Sequence, residues 1–285
     1  MTALSCNPVI HTGSNSQPKS VAVIPARYSS TRLPGKALLP IAGKPLIVWV
    51  AERTAEASTI SRVMVATDDA RIADAVTAAG FEAVMTRADH ASGTDRIAEV
   101  ARTLDAEIIV NIQGDEPLIS PETIDRAIQA LVDDRDAQIA TTCEPIADAA
   151  QVLNRSVVKV KVDDRGYATD FSRNPIPFLN QAVAKHGSIE AALRNPDESG
   201  LLSLFRKHTG LYAYRREFLL EFPSWPQSER ERKESLEQLR ALDRGVKIKV
   251  VDAASSSIGV DTIEDLERVR AIVEYAGTHA SGMSS

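Results

Sequence analysis

Cysteine is almost absent from this chain: Cys6 and Cys143 are the only two in 285 residues, far apart and in no CxxC pair. That excludes a disulfide framework and a thiolate zinc site, and leaves Cys143 as a small buried hydrophobe. Basic charge is also scarce. Thirty-three Lys and Arg against 39 Asp and Glu leave a net charge of -6 and a pI near 5.5. A general binder of phosphate backbones needs a clustered cationic excess, so no nucleic-acid partner is expected and any basic cluster must be local. Long apolar runs are missing too. The opening stretch, MTALSCNPVIHTGSNSQPKS, has neither the basic start and apolar core of a signal peptide nor a run long enough to span a bilayer. Residues 1–19 therefore read as a disordered polar tail, with no membrane partner and a cytoplasmic location.

Two glycine signatures are missing as well. GxGxxG occurs nowhere, which removes the main support for a dinucleotide-binding oxidoreductase. The Gly35-Lys36 pair lacks both the earlier glycine and the following Ser or Thr of a Walker A loop. Internal repeats are absent.

What is present is apolar material for a large core, 44% of residues, arranged as alternating strands and helices. Val21 to Ile24, Val63 to Ala66 and Ile108 to Ile112 are continuous apolar runs, as expected of central parallel strands covered on both faces. Between them, Ile72, Ala73, Val76 and Ala79 form one helical stripe, and Ile97, Val100, Ala101 and Leu104 another. Ser120-Pro121 starts a further helix, with Ser120 as N-cap and Pro121 in the first turn. The fold class is α/β: a doubly wound, mostly parallel, Rossmann-like sheet.

After Cys143 the texture changes. Val158, Val160 and Val162 alternate with Lys159 and Lys161 ahead of an Asp-Asp-Arg-Gly turn, which predicts an antiparallel hairpin with one wet face and the start of a smaller inserted unit. Residues 180 to 200 read as a loop or lid with short helical pieces. One helix is expected from about Ser228 to Leu242, a strand from Val246 to Val251, and a last helix from Thr262 to Tyr275.

Chemistry concentrates at strand ends, where open α/β sheets bind ligands. IPARYSSTRLPGK, directly after the first strand, carries Arg27, Arg32 and Lys36 with no acidic residue: a cradle for a polyanion such as a triphosphate. NIQGDEP places Asp115 and Glu116 after another apolar strand, where a magnesium ion would sit, and GVDT places Asp261 after a later one. Two carboxylates from separate strand ends suit magnesium, which takes one or two carboxylates together with phosphate oxygens and water; Asp261 is equally suited to capping the helix that follows. Thr67, Asp68, Ser92, Gly93 and Thr94 stand at further strand-to-helix turns, where short polar groups read a base or ribose or else cap helices. His90 has no ligand partner at metal spacing.

In chain order, IPARYSSTRLPGK, VATDD, MTRADHASGTDR, VNIQGDEP, FSRNPIP, HTGLYAYR, LEQLR and GVDTIEDLERVR resemble the 3-deoxy-manno-octulosonate (Kdo) cytidylyltransferase family, over about residues 20 to 272. The resemblance implies a nucleotidyltransferase domain over about residues 20–275, carrying an inserted antiparallel subdomain at about 157–225 that binds sugar and helps form a homodimer, with a tail at 276–285. It also implies transfer of the cytidylyl group of CTP to Kdo for lipopolysaccharide synthesis. By the same resemblance Arg27, Arg32 and Lys36 hold the CTP phosphates, Gln113 lies near the nucleotide, and Asp115 and Asp261 bind Mg2+. The sugar side falls to Arg173, His208, Tyr212, Glu237 and Gln238. Thr209, Ala213 and the charged run from Glu229 to Glu234 depart from the family's habit.

Overall fold

A computed structural model describes residues 18–29 and 33–281, and its first half alternates strand and helix as the apolar runs require. β1 (Ser20–Ala26) leads through a small ribbon, β2 (Pro40–Ile41) and β3 (Lys44–Pro45), into α1 (Leu46–Ala55). β4 (Ile60–Thr67), α2 (Ala70–Ala78), β5 (Glu82–Met85), α3 (Gly93–Ala101), β6 (Ile108–Asn111), α4 (Pro121–Asp133) and β7 (Ile139–Pro145) follow. The second half holds α5 (Ala149–Leu153), the strands β8 (Lys159–Val162) and β9 (Ala168–Ser172), and the short helices α6 (Asn180–His186) and α7 (Ile189–Arg194). Then come β10 (Arg206–Arg215), α8 (Arg216–Glu221), α9 (Glu229–Glu234), α10 (Gln238–Asp243), β11 (Ile248–Asp252) and α11 (Ile263–Ser281).

One sheet gathers nine of these strands along the path β11-β7-β10-β6-β1-β4-β5, with β8 and β9 attached through β10. β1 pairs in parallel with both β4 and β6, so the three apolar runs are adjacent and central. Their side chains alternate between two cores. Ala22, Ile24, Ile108 and Val110 pack with Ile47 of α1, Ile72 and Val76 of α2 and Ile124 and Ile128 of α4. Val21, Val23 and Ile109 face Ile97 and Val100 of α3 together with Phe218 and Leu239. Helices on both faces are what strands apolar on both sides demand, and the winding is double as expected.

Local chemistry sets the helix starts. The Ser120 hydroxyl accepts from the Thr123 N–H with Pro121 in the first turn, and Ser92 forms a capping box with Asp95. Cys143 is buried, and burial together with the Asp252 carboxylate pushes its thiol up to about 12.

The smaller antiparallel part is present: β10 runs antiparallel between β6 and β7, with the antiparallel β8–β9 hairpin as its extension. Four details of the expected elements need correction. The hairpin's wet face holds only for Lys161, since Lys159 is fully buried. The helix expected over 228–242 is two: α9 stops where Ser235 adopts φ 54°, because an L-residue in the left-handed region cannot continue a right-handed helix. Finally, Ala79 lies exposed past the end of α2, leaving Ile72 and Val76 as its buried stripe. The final helix runs on to Ser281, through most of the expected tail. The tail expected over residues 1–19 lies outside the described residues for 1–17, and at its end the Lys19 carbonyl oxygen accepts from the Glu107 N–H at 2.9 Å.

Candidate active site

The chain leaves β1 towards β4 and β5 on one side and later adds β6 on the other, so the carboxyl ends of β1 and β6 flank the topological switch point. The basic loop leaves from Ala26, and Ile112 to Pro117 from Asn111. Gly114 fits against β1 so closely that a Cβ there would lie 2.8 Å from the Pro25 carbonyl oxygen. The turn before α11 joins them when the Val260 N–H donates to the Asp115 carbonyl oxygen at 2.8 Å.

This brings Lys36, Asp115 and Asp261 together. Lys36 Nζ donates to Asp115 Oδ2 at 2.6 Å and to Asp261 Oδ1 at 3.1 Å. Asp261 does not cap α11. Thr262 does so, its hydroxyl accepting from the Asp265 N–H while Asp265 accepts from Thr262, and the Asp261 carboxylate turns to the cleft. Two carboxylates bracketing one cation form a seat for positive charge, with Lys36 as its stand-in. Among the described residues no group of three or more His, Cys, Asp or Glu could hold a metal. A hard divalent cation in this seat would draw its other ligands from phosphate and water, the usual habit of magnesium.

The other residues expected on the nucleotide side are placed as follows. The Arg27 guanidinium donates to the carbonyl oxygens of His90 at 2.7 Å and Ser92 at 3.2 Å, tying the basic loop to the start of α3. Thr67 is buried, and its carbonyl oxygen accepts from the Thr86 N–H at 2.8 Å. Asp68 is paired at 3.1 Å with Arg96, a fully buried guanidinium. His90 is held by Glu99. Arg32 lies outside the described residues.

Three cavities meet at Gln113. One of about 330 Å³ is lined by Arg27, Lys36, Asp115 and Asp261. A second of about 330 Å³ holds Ser92, Gly93, Thr94, Asn111, Tyr212, Glu237 and Gln238. The third, about 620 Å³, runs past Asp115 and Asp261 to Glu116, Lys207 and His208. Thr94 Oγ1 donates to Glu237 Oε2 at 2.6 Å, so the hydroxyl read as either cap or ligand bridges to the LEQLR segment. Arg173 is apart from these cavities' linings: its Nε donates to the Glu234 carbonyl oxygen at 2.8 Å.

A bulge in β10 shapes this region. His208 stands opposite Cys143 but Tyr212 opposite Thr141, four positions on one strand against two on the other. Gly210, inside the bulge, accepts from Gln113 Nε2 at 3.0 Å, and a Cβ on it would lie 2.8 Å from Gln113 Cγ. Thr141 Oγ1 donates to the Leu211 carbonyl oxygen at 2.6 Å, so the 2.9 Å contact with His208 Nε2 is a bond donated by histidine. Burial drives the His208 pKa down to about 3, keeping the ring neutral. Burial also raises Tyr212 well above its ordinary range.

Sequence reasoning read Glu116 only as a carboxylate beside a magnesium ion, and it missed Asn111 and Arg96. Glu116 is pushed up to about 7, first by burial and then by the neighbouring Asp115 carboxylate. Asn111 is 3% exposed and its Oδ1 has no hydrogen-bond partner, though it lines the Thr94–Glu237 cavity. Arg96 stood only inside the MTRADHASGTDR stretch, with no role of its own. The NIQGDEP motif contained the first two, but burial is a property of neighbours that a motif does not report.

A basic loop and an acidic pair at the switch point of a doubly wound sheet define a nucleotide-handling α/β protein. A family model described as cytidylyltransferase matches residues 21–248. The chain is 50% identical over 250 residues to a 3-deoxy-manno-octulosonate cytidylyltransferase of Trichlorobacter lovleyi, covering 88% of this chain and 96% of that one. It is 51% identical over 251 residues to the protein of that name from Geobacter sulfurreducens, covering 87% and 96%. It therefore belongs to the 3-deoxy-manno-octulosonate cytidylyltransferase family. A solved structure described as CMP:2-keto-3-deoxy-manno-octonic acid synthetase complexed with CTP superposes with a TM-score of 0.80 at 43% identity, over 90% of this chain and 99% of that one. A 4-diphosphocytidyl-2C-methyl-D-erythritol synthase from Anaerococcus prevotii, at 16% identity and a TM-score of 0.58 over 90% of this chain and 97% of that one, shares the fold.

Proposed function

We propose that this protein transfers the cytidylyl group of CTP to the anomeric hydroxyl of Kdo, giving CMP-Kdo and pyrophosphate for lipopolysaccharide assembly. The observation that carries the proposal is the Lys36–Asp115–Asp261 cluster at the switch point, with contacts of 2.6 and 3.1 Å, in a chain about half identical to proteins named for this reaction.

The anomeric hydroxyl attacks the α-phosphorus in line and gives its proton up to solvent while the bond to the pyrophosphate oxygen breaks, so no covalent protein intermediate is required. Positioning and charge neutralisation do most of the work in such transfers. Lys36 with Arg27 and Arg32 balances the triphosphate and the leaving pyrophosphate, and Asp115 and Asp261 are the residues that would hold Mg2+. When bound, the ion would screen the charge that builds on the attacking and α-phosphate oxygens. With CTP bound, Lys36 Nζ would turn from the carboxylates to the phosphates. Thr67, Asp68 and the Ser92-Gly93-Thr94 turn are assigned to the base and ribose side, and Gln113 to the junction with the sugar. His208, Tyr212, Glu237 and Gln238 form the acid-sugar side; Arg173, bonded to the chain at Glu234, serves it from behind.

A homodimer and a cytoplasmic location complete the proposal. Phe178, 73% exposed, and Leu204, 51% exposed, offer apolar surface on the proposed 157–225 insertion for a second copy to cover. Among the described residues no helix is long and apolar enough to cross a membrane.

The test is pyrophosphate release by purified protein with CTP and magnesium, comparing Kdo, 8-amino-Kdo and a sialic acid, each with an EDTA control. Metal-dependent release with Kdo is the expected result. Release with another acid sugar only would keep the reaction class and overturn the sugar assignment; CTP binding with no release from any sugar would mark a regulator that has kept the fold.

A further inference from the structure

Lys159 breaks the ordinary rule for lysine. It is 0% exposed, and among the described residues no carboxylate pairs with its ammonium. Burying an uncompensated charge is strongly unfavourable, so such a group must find other partners. Here it finds three backbone carbonyl oxygens: Asn154 at 2.7 Å, Val157 at 2.8 Å and Arg173 at 3.0 Å. An ammonium has three N–H donors, and all three are used.

The acceptors come from two separate segments, each leading to one wall of the acid-sugar side. Asn154 and Val157 belong to the turn before β8, and the next carbonyl in that turn, Val158, accepts from the His208 N–H at 2.8 Å, where the β10 bulge begins. Arg173 follows β9. Its backbone N–H donates to Glu234 Oε2 at 3.1 Å and its Nε to the Glu234 carbonyl oxygen at 2.8 Å, gripping the last residue of α9. One residue later Ser235 turns the chain at φ 54° into the segment where Glu237 receives the Thr94 hydroxyl. Neither His208 nor Glu237 touches the other, and Lys159 lies where their supports converge.

We propose that Lys159 is a positioning residue for the acid sugar, holding in register the two segments that carry His208 and Glu237. The inference rests on the assignment of those residues to the sugar side made above. The lysine acts through backbone and has no contact with the nucleotide cradle at Lys36, Asp115 and Asp261. Its removal therefore separates the two substrates kinetically, which a loss of general stability would not do.

The experiment uses the full chain as wild type, Lys159→Met, Lys159→Gln and Lys159→Arg. Pyrophosphate release is followed with Kdo varied at saturating CTP and with CTP varied at saturating Kdo, beside amide hydrogen exchange of the unliganded proteins. Residues supporting a site from behind typically affect it by about 10–100-fold. Lys159→Met is expected to raise the KM for Kdo by about tenfold or more and leave that for CTP unchanged. Lys159→Arg, which keeps charge and donors, recovers most of the loss. Exchange rises at residues 206–210 and 233–238 and not in α4. An unchanged KM for Kdo, or equal rises for both substrates, overturns the proposal. Should Lys159→Met fail to fold, Lys159→Gln, which retains two N–H donors, is read by the same criteria. A wild type inert towards Kdo would count against the proposed reaction, and the exchange comparison would still decide whether Lys159 holds the two segments.

Discussion

Replacing Gly114 with alanine would put a methyl group where β1 already stands. A Cβ at this position lies 2.8 Å from the Pro25 carbonyl oxygen, 3.4 Å from Ile47 Cδ1 and 3.6 Å from Ile24 Cγ2. Relief to ordinary van der Waals distance requires a shift of about 0.6 Å from the carbonyl oxygen, starting from that 2.8 Å separation. β1 cannot supply it readily, because Pro25 sits within the parallel register with Ala66 and the neighbouring Ile24 is fully buried. The 113–117 turn moves instead, and with it Asp115, which now meets Lys36 at 2.6 Å. Overpacking of this kind costs about 1–3 kcal/mol, a fall in Tm of roughly 2–10 °C for a chain of this size. A misplaced catalytic group costs up to about 10²-fold in rate. Thermal melts and pyrophosphate release at saturating CTP, Kdo and magnesium read both effects. Gly259, two residues before Asp261, is the control: nothing lies within 4 Å of a Cβ there and its φ is not left-handed, so Gly259→Ala is expected to stay within about 0.5 kcal/mol of wild type. Wild-type turnover and Tm in Gly114→Ala would refute the argument that β1 fixes this turn.

Asp115→Ala and Asp261→Ala are each expected to lower turnover at least about a hundredfold, the scale of one transition-state electrostatic element, and Lys36→Ala similarly; near-normal rates in a folded Asp115→Ala protein would remove it from the site. Arg96→Met breaks a pair between a fully buried guanidinium and Asp68, whose side chain is 18% exposed. The cost should be about 3 kcal/mol, at the low end for buried pairs because Asp68 keeps some water, and the urea midpoint measures it. His208 has a pKa near 3 when folded because burial disfavours its charge, against 6.5 ordinarily. Below pH 6.5 the unfolded chain therefore binds a proton that the native state refuses, and the stability contributed above that pH declines as pH falls towards 3. Between pH 7 and 5, His208→Gln should lose less Tm than wild type; parallel losses would contradict a neutral buried ring.

Much of the fold was legible because its signals are local or periodic. Apolar runs such as Val21–Ile24 and Ile108–Ile112 are buried on both sides whichever strands neighbour them, and the Ser120-Pro121 start needs only its own turn. Lys159 was misread because alternation assigns it to a wet face, whereas two carbonyl oxygens of the turn before β8 and one from beyond β9 receive it. The single helix expected over 228–242 failed at Ser235, a residue with no turn signature. Asp261 was ambiguous between cap and ligand until Thr262 was seen to take the cap.

Residue order by itself determined the α/β class, the strand-end placement of the basic loop and the two acidic turns, since these follow from hydrophobic period and from chemistry within a few residues. Only the tertiary structure decided which of those groups meet. The Lys36–Asp261 contact of 3.1 Å joins positions 225 residues apart, and the burial of Glu116, His208 and Lys159 depends on how strands and loops pack around them. Proximity and desolvation are properties of packing, and packing has no period along the sequence.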